Sequence, residues 1–354
     1  MVEISCSGTD LDALLLDATR PEELAGMLLA ALRLDLPTVC VPPSGTPFSA
    51  ALVSLGLTPV SGEPASIAVA IAESDGPRPR ALVDNFSLAN ALRAGVAASG
   101  GPELLVHLAA TASEAGVAGF SQMIRVLAPE TSEADPGWLR EHGIPGLLAS
   151  LGDALHDVPT VAGDLKASLS STTPPPDEDS RLVFVRARAS GAGAVCRVRE
   201  GVTEVVGECR VFGSEEDAVR AVHAGEIEAG AMLVVGGCGP RGGPGLLRLD
   251  ALGLALREAG LEVPVLTDGL APEDASGFWI SLFTPEAAAG GVLSRLQDGD
   301  PLRIDLAEGR IRTGVGAGEF EIRAPSEFPG RSGTGYAARY ARTALPALEG
   351  AGFG

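Results

Sequence analysis

The chain has 354 residues and a formal net charge of −20, with 45% apolar but only 4% aromatic residues. That length accommodates two domains of ordinary size with buried cores. The acidic balance argues against nucleic-acid and anionic-membrane partners, and the scarcity of aromatics against a base-stacking platform. No apolar run approaches the about 20 residues of a membrane span.

The segment Met1–Asp10 lacks a basic stretch followed by an apolar one, which reads as no signal peptide and gives a cytoplasmic expectation. Lys166 is the only lysine, so any mechanism that needs a Schiff-base or carbamylated lysine must use that residue. The five cysteines (Cys6, Cys40, Cys196, Cys209 and Cys238) form no CxxC pair. The four histidines (His107, His142, His156 and His223) show no HExxH spacing. Neither a disulfide framework nor a zinc site is indicated.

In chain order, Asp12 to Leu16 reads as a strand, Glu22 to Leu34 as a helix, Pro37 to Val41 as a buried strand and Pro47 to Leu55 as a helix. Ser66 to Ala72 and Ala81 to Asp84 are further strand candidates, followed by helices over Asn90 to Ala98 and Glu103 to Ala115. This order predicts an α/β domain over 1–168 with a largely parallel sheet. Leu169 to Ser180 contains three prolines followed by acids and reads as an extended linker.

From 181 to 330 short β-branched runs dominate: Leu182 to Ala187, Gly193 to Arg199, Gly201 to Val206, Ala231 to Val235 and Val263 to Thr267. Helices are predicted only at Ser214 to Ala224 and Leu249 to Ala259. The pattern predicts a β-rich, barrel-like domain with peripheral helices. Helical spacing returns over Gly335 to Leu348, so residues 331–354 are expected to pack back on the first domain.

Four segments carry a resemblance. The first is Asp12-Ala-Leu-Leu-Leu with Gly26 to Pro37; the second is Ala89-Asn-Ala-Leu, Ser99-Gly-Gly and Val106-His-Leu-Ala-Ala through Glu114-Ala-Gly-Val. The third and most specific is Gly239-Pro-Arg-Gly-Gly-Pro-Gly-Leu, then Leu266-Thr-Asp-Gly, Thr284-Pro-Glu-Ala-Ala-Ala-Gly-Gly and Asp298 to Asp305. The fourth is Gly335-Tyr-Ala-Ala-Arg-Tyr-Ala. In this order and spacing, over roughly 12–347, the chain resembles the dihydroxy-acid and phosphogluconate dehydratases.

The resemblance implies an iron–sulfur cluster held by cysteines, a nearby magnesium held by carboxylates and a carbamylated lysine, a serine base, and a homo-dimer. Cluster and metal supply the Lewis acidity that a poor hydroxide leaving group needs. The family is longer, and both its N-terminal portion and a stretch around Val41 to Thr46 are expected to have no counterpart here.

At the positions matching the family's Cys-Asp-Lys stand Arg20, Pro21 and Glu22. An arginine has no lone pair to ligate a metal. The segment matching the next cluster cysteine, Pro42 to Phe48, contains none, although Cys40 lies close. The family's Gly-Gly-Ser-Thr-Asn reads Gly100-Gly-Pro-Glu-Leu, with Glu103 as a new carboxylate. The acid before the glycine loop is Cys238, the metal-binding Glu after it is Arg248, and the serine position is Pro272.

Cluster, metal and base are therefore all expected to be absent, with no metal and no cofactor. The expected function is that of a non-catalytic homologue. It would bind a small acidic metabolite through a carboxylate or phosphate, or else a homologous dehydratase subunit. Ligand candidates are Arg20, Gly239, Arg241, Gly242, Gly243, Arg248 and Asp268, because guanidiniums suit planar oxyanions and glycines admit close backbone approach. The alternative is a metal-independent lyase or isomerase in the same cleft, with Glu22, Glu103, Cys238, Asp268 and Asp274 as candidate acid–base groups. The Thr284-Pro285-Glu286 run is read structurally, as a helix N-cap, N1 and first turn.

Overall fold

The Leu14-Leu15-Leu16 run forms β1 (Leu14–Asp17), which pairs in parallel with β2 (Thr38–Val41), Leu14 lying opposite Thr38. Between them runs α1 (Pro21–Leu34), with Pro21 in its first turn and Leu24, Leu28 and Leu32 buried at a spacing of four. Pro fits there because the first helical N–H has no intrahelical partner to lose. The structure is a computed structural model that describes residues 2–353, apart from 176, 179, 188–192, 199–200, 244, 274, 276, 327 and 329–333, with backbone alone at 177–178.

Two of the expected strands are helical. Ser66 to Ala72 lies within α3 (Pro64–Glu73), and Ala81 to Asp84 overlaps a single helical turn, Pro79–Leu82. The physical cause lies at the start of α3. The Glu63 carboxylate accepts the N–H groups of Ala65 and Ser66, Pro64 fixes the first φ, and alanines fill the interior. Ala68 and Ile71, three apart, are the residues buried. The parallel sheet of the first unit therefore has two strands.

Helices α2 (Pro47–Ser54), α4 (Asn85–Ala97) and α5 (Pro102–Ala115) form where expected. Two more follow: α6 (Phe120–Leu127) and α7 (Pro136–Leu151), the latter broken at Gly143, where φ is 64°. The proline-rich segment from Leu169 is tied to this unit. Asp177–Glu178 pairs antiparallel with Glu133–Ala134, and the Ser180 carbonyl accepts from the Glu133 N–H at 3.2 Å.

The chain divides into a unit from Met1 to Arg181 and a second from Leu182 to Gly354. The second is a closed eight-stranded barrel of β3 (Arg181–Ala187), β4 (Gly193–Val198), β5 (Glu204–Phe212), β6 (Ala231–Val235), β7 (Val265–Thr267), β8 (Trp279–Thr284), β9 (Pro301–Asp305) and β10 (Arg310–Thr313). Its order around the wall is β6-β7-β8-β4-β3-β10-β9-β5.

In β6, Met232 and Val234 point into the barrel, while Leu233 and Val235 pack under α8 (Glu215–His223) and α9 (Asp250–Glu258). A strand covered on both faces has to read as a continuous apolar run, which Ala231 to Val235 does. The interior is closed by side chains such as Val185, Cys196, Leu266, Ile280 and Ile304, as the small radius of an eight-stranded barrel requires.

The C-terminal helix is α10 (Tyr336–Thr343). It belongs to the second unit, where the Ala341 carbonyl accepts from the Gly242 N–H at 3.0 Å. Its last-turn carbonyls lack partners within the helix, and the glycine loop supplies donors for them.

Candidate functional site

Strands β6, β7 and β8 are mutually parallel neighbours, with Val235 opposite Thr267 and Leu266 opposite Ile280. Their carboxyl ends therefore open at one rim, the place where parallel sheets expose backbone donors to ligands. Gly236 follows β6, Asp268 follows β7, and Pro285 and Glu286 follow β8. Register thus brings together residues up to fifty positions apart.

Asp268 is fully buried and holds the rim together. One carboxylate oxygen accepts from the Cys238 N–H at 2.8 Å; the other accepts from Gly237 at 3.2 Å and Ala287 at 2.9 Å. Burial pushes this carboxyl above its ordinary range, against the pull of the three N–H groups. Its lone pairs are occupied by the backbone, so it acts as a keystone.

Beside it lies Glu286, which sequence reasoning treated as a first-turn helix residue. The run from Thr284 instead leads into a single 3-10 turn, Ala287–Ala289, with Glu286 at the capping position and its side chain fully buried. Oε1 accepts from the Ala347 N–H at 3.3 Å, while Oε2 has no hydrogen-bond partner among the described residues. Burial, and then the neighbouring Asp268 charge, raise its pKa. No periodicity signals such a residue, because its environment is made by three separate strand ends.

The glycines of the loop are required by contact. A Cβ on Gly239 would lie 2.6 Å from the Glu286 Cγ, and one on Gly242, where φ is 80°, would collide with the Ala288 Cβ. A second strained position lies in β8. Leu282 holds φ at 60° in the irregular stretch of β8, fixed by its N–H on the Gly269 carbonyl at 3.0 Å.

The remaining sequence candidates fall out as follows. Cys238 is buried at the rim, its thiol pushed up to about 12 by burial and then by Asp268. Arg241 is exposed and gives its Nε–H to the Ala344 carbonyl at 2.9 Å. Gly243 lies against the Gly239 carbonyl. Arg248 reaches Glu273 at 3.4 Å, and its backbone bridges Leu270. Asp274 lies outside the described residues.

Arg20, Glu22 and Glu103 belong to the first unit. Arg20 precedes α1 and pairs with Glu23 at 2.6 Å and Glu22 at 3.5 Å on the surface. Glu103, in the first turn of α5, lies 3.5 Å from the His107 Nε2. Cys40 is buried in β2, its thiol pushed up to about 12 by burial. Among the described residues no three His, Cys, Asp or Glu side chains are grouped so as to hold a metal ion, and no helix is long and apolar enough to cross a membrane.

Residues 169–351 match the dihydroxy-acid/6-phosphogluconate dehydratase C-terminal family. The chain is 31% identical over 302 residues to a dihydroxy-acid dehydratase of Pelobacter propionicus, covering 77% of this chain and 55% of the relative. Those of Citrifermentans bemidjiense and Geobacter sulfurreducens are 30% and 31% identical, with the same coverage of each chain. The chain spans about half the length of the curated relatives it matches. It belongs to the dihydroxy-acid/6-phosphogluconate dehydratase family.

Proposed function

We propose that this chain is a non-catalytic member of the dehydratase family that binds a small carboxylate or phosphate ligand, or a homologous dehydratase subunit, in the cytoplasm. The observation that carries the reading is how the rim's charged groups are used. Asp268 is saturated by three backbone donors and Cys238 is a buried thiol, whereas Arg241 presents an exposed cation on the glycine loop. Such a rim presents a cation and backbone donors to an oxyanion, and its thiol is protonated rather than a thiolate.

The donor set does not suit the cluster and magnesium that the resemblance implies. At the matching positions Arg20 is an ion-paired guanidinium and Arg248 another cation, and the Cys40 thiol is held protonated inside a sheet. The proposed function runs through neither group.

Calorimetric titration with hydroxy acids and sugar acids, and sedimentation with a full-length dehydratase, test the proposal. A saturable interaction is expected in one series, with the small-ligand response abolished by Arg241→Gln. No interaction in either series refutes it.

One observation favours a second reading, a metal-independent lyase or isomerase acting on a hydroxy-acid-like substrate. Glu286 is a buried acid whose pKa is raised by burial and which keeps one unbonded oxygen, features that suit a proton-transfer group. Chelator-resistant turnover that disappears in Glu286→Gln distinguishes this reading from simple binding.

A further inference from the structure

The donors of the glycine loop are already engaged by this chain's own C-terminus. The Gly242 N–H is accepted by the Ala341 carbonyl and the Arg241 Nε–H by the Ala344 carbonyl, at 3.0 and 2.9 Å. Both carbonyls come from the end of α10, where the helix dipole is negative and backbone oxygens lack internal partners. Two carbonyl oxygens thus occupy the N–H and guanidinium donors that an oxyanion on this loop would need.

The segment that delivers them is lightly anchored. Its fully buried side chains are four alanines, Ala338, Ala341, Ala344 and Ala347, and one leucine, Leu348, with Tyr340 and Leu345 half-buried. It closes largely on itself. The Tyr340 hydroxyl donates to the Ala351 carbonyl at 2.6 Å, the Leu345 N–H to Gly352 at 2.8 Å, and Phe353 packs edge-on against both Tyr336 and Tyr340. Its further tie, from the Ala347 N–H to Glu286, is a long 3.3 Å. An element with small buried contacts and a self-contained fold can open locally while the barrel stays intact.

We propose that the segment Tyr336–Phe353 is an internal strap that occupies the glycine-loop donors in place of a small oxyanion and is displaced when the anion binds. The proposal rests on the reading of this loop as an anion site and adds its regulation. An anion seated on the Gly242 N–H and the Arg241 Nε–H replaces both strap carbonyls, so affinity is set by how often the strap is open.

The test uses the full chain, inorganic phosphate and glycerate as probes, and amide hydrogen exchange at Gly242 as an independent report of strap opening. Leu348→Ala loosens the strap without touching the loop; Tyr340→Phe is the milder companion should the first variant fail to fold. A strap that opens ten times more often while still mostly closed gives about tenfold tighter probe binding. The expected result is faster Gly242 exchange in the variant, together with tighter binding by a matching factor. Faster exchange with unchanged affinity overturns the strap while leaving the anion site standing. Faster exchange with no probe binding in any form overturns both.

Discussion

Replacing Asp268 by asparagine keeps the shape of the side chain and changes only what it can accept. The carboxylate receives three N–H groups, one from Cys238 on one oxygen and two from Gly237 and Ala287 on the other. An amide has one accepting oxygen. The better orientation places it toward Gly237 and Ala287, which leaves the NH2 facing the Cys238 N–H, donor against donor. Losing a charge-assisted bond costs about 1.5–3 kcal/mol, and the two retained bonds weaken as the acceptor becomes neutral. Relief from burying a charge offsets part of this. The net expectation is about 2–4 kcal/mol, or about 4–16 °C in melting temperature for a unit of this size. Trp279, buried in β8, reports on the second unit once Trp138 is replaced by phenylalanine. Urea unfolding followed by its fluorescence gives the difference directly. A midpoint unchanged within the equivalent of about 0.5 kcal/mol would refute the keystone role.

Gly242→Ala places a Cβ into Ala288 on a backbone with φ of 80°; the conformation alone costs about 1–2 kcal/mol, and melting should fall without loss of the barrel's circular dichroism. Native thiol titration should find one readily reacting cysteine, Cys6; Cys40, Cys196, Cys209 and Cys238 are buried, with thiols raised to about 12, and should react only on unfolding. Glu286 has a folded-state pKa above its unfolded one, so its stabilising contribution is complete below the ordinary carboxylate value near about 4.3 and is lost as pH rises through the raised value. Glu286→Gln should therefore match the parent in acid and exceed it in stability at pH 8, a comparison that thermal melts across pH can make.

How legible this was depends on the kind of signal. The barrel was readable because β3 and β6 carry β-branched runs, and the glycine loop because Gly239 to Gly245 cannot be anything else. The strands expected at Ser66 and Ala81 became helices because apolar Ala/Ile/Val alternation fits both periods; the Glu63 cap and Pro64 decide it locally. Helix α7 was hidden by Gly143 and Pro145, which read as breakers and do break it midway. Among site residues, Asp268 and Cys238 were visible as motif members, but their occupation was not. That depends on the register between β6 and β7, a long-range property. Glu286 escaped for the same reason, since its orphan oxygen arises from the meeting of β8, the glycine loop and the C-terminal segment.

The central claim is that this family member works without the family's cluster and metal. Its most direct test is anaerobic reconstitution with iron, sulfide and magnesium, followed by a visible absorption spectrum and an assay for dehydration of dihydroxy acids and sugar acids. The account predicts no cluster absorption beyond adventitious iron and no metal-dependent turnover. A stoichiometric cluster band accompanied by dehydration would contradict it.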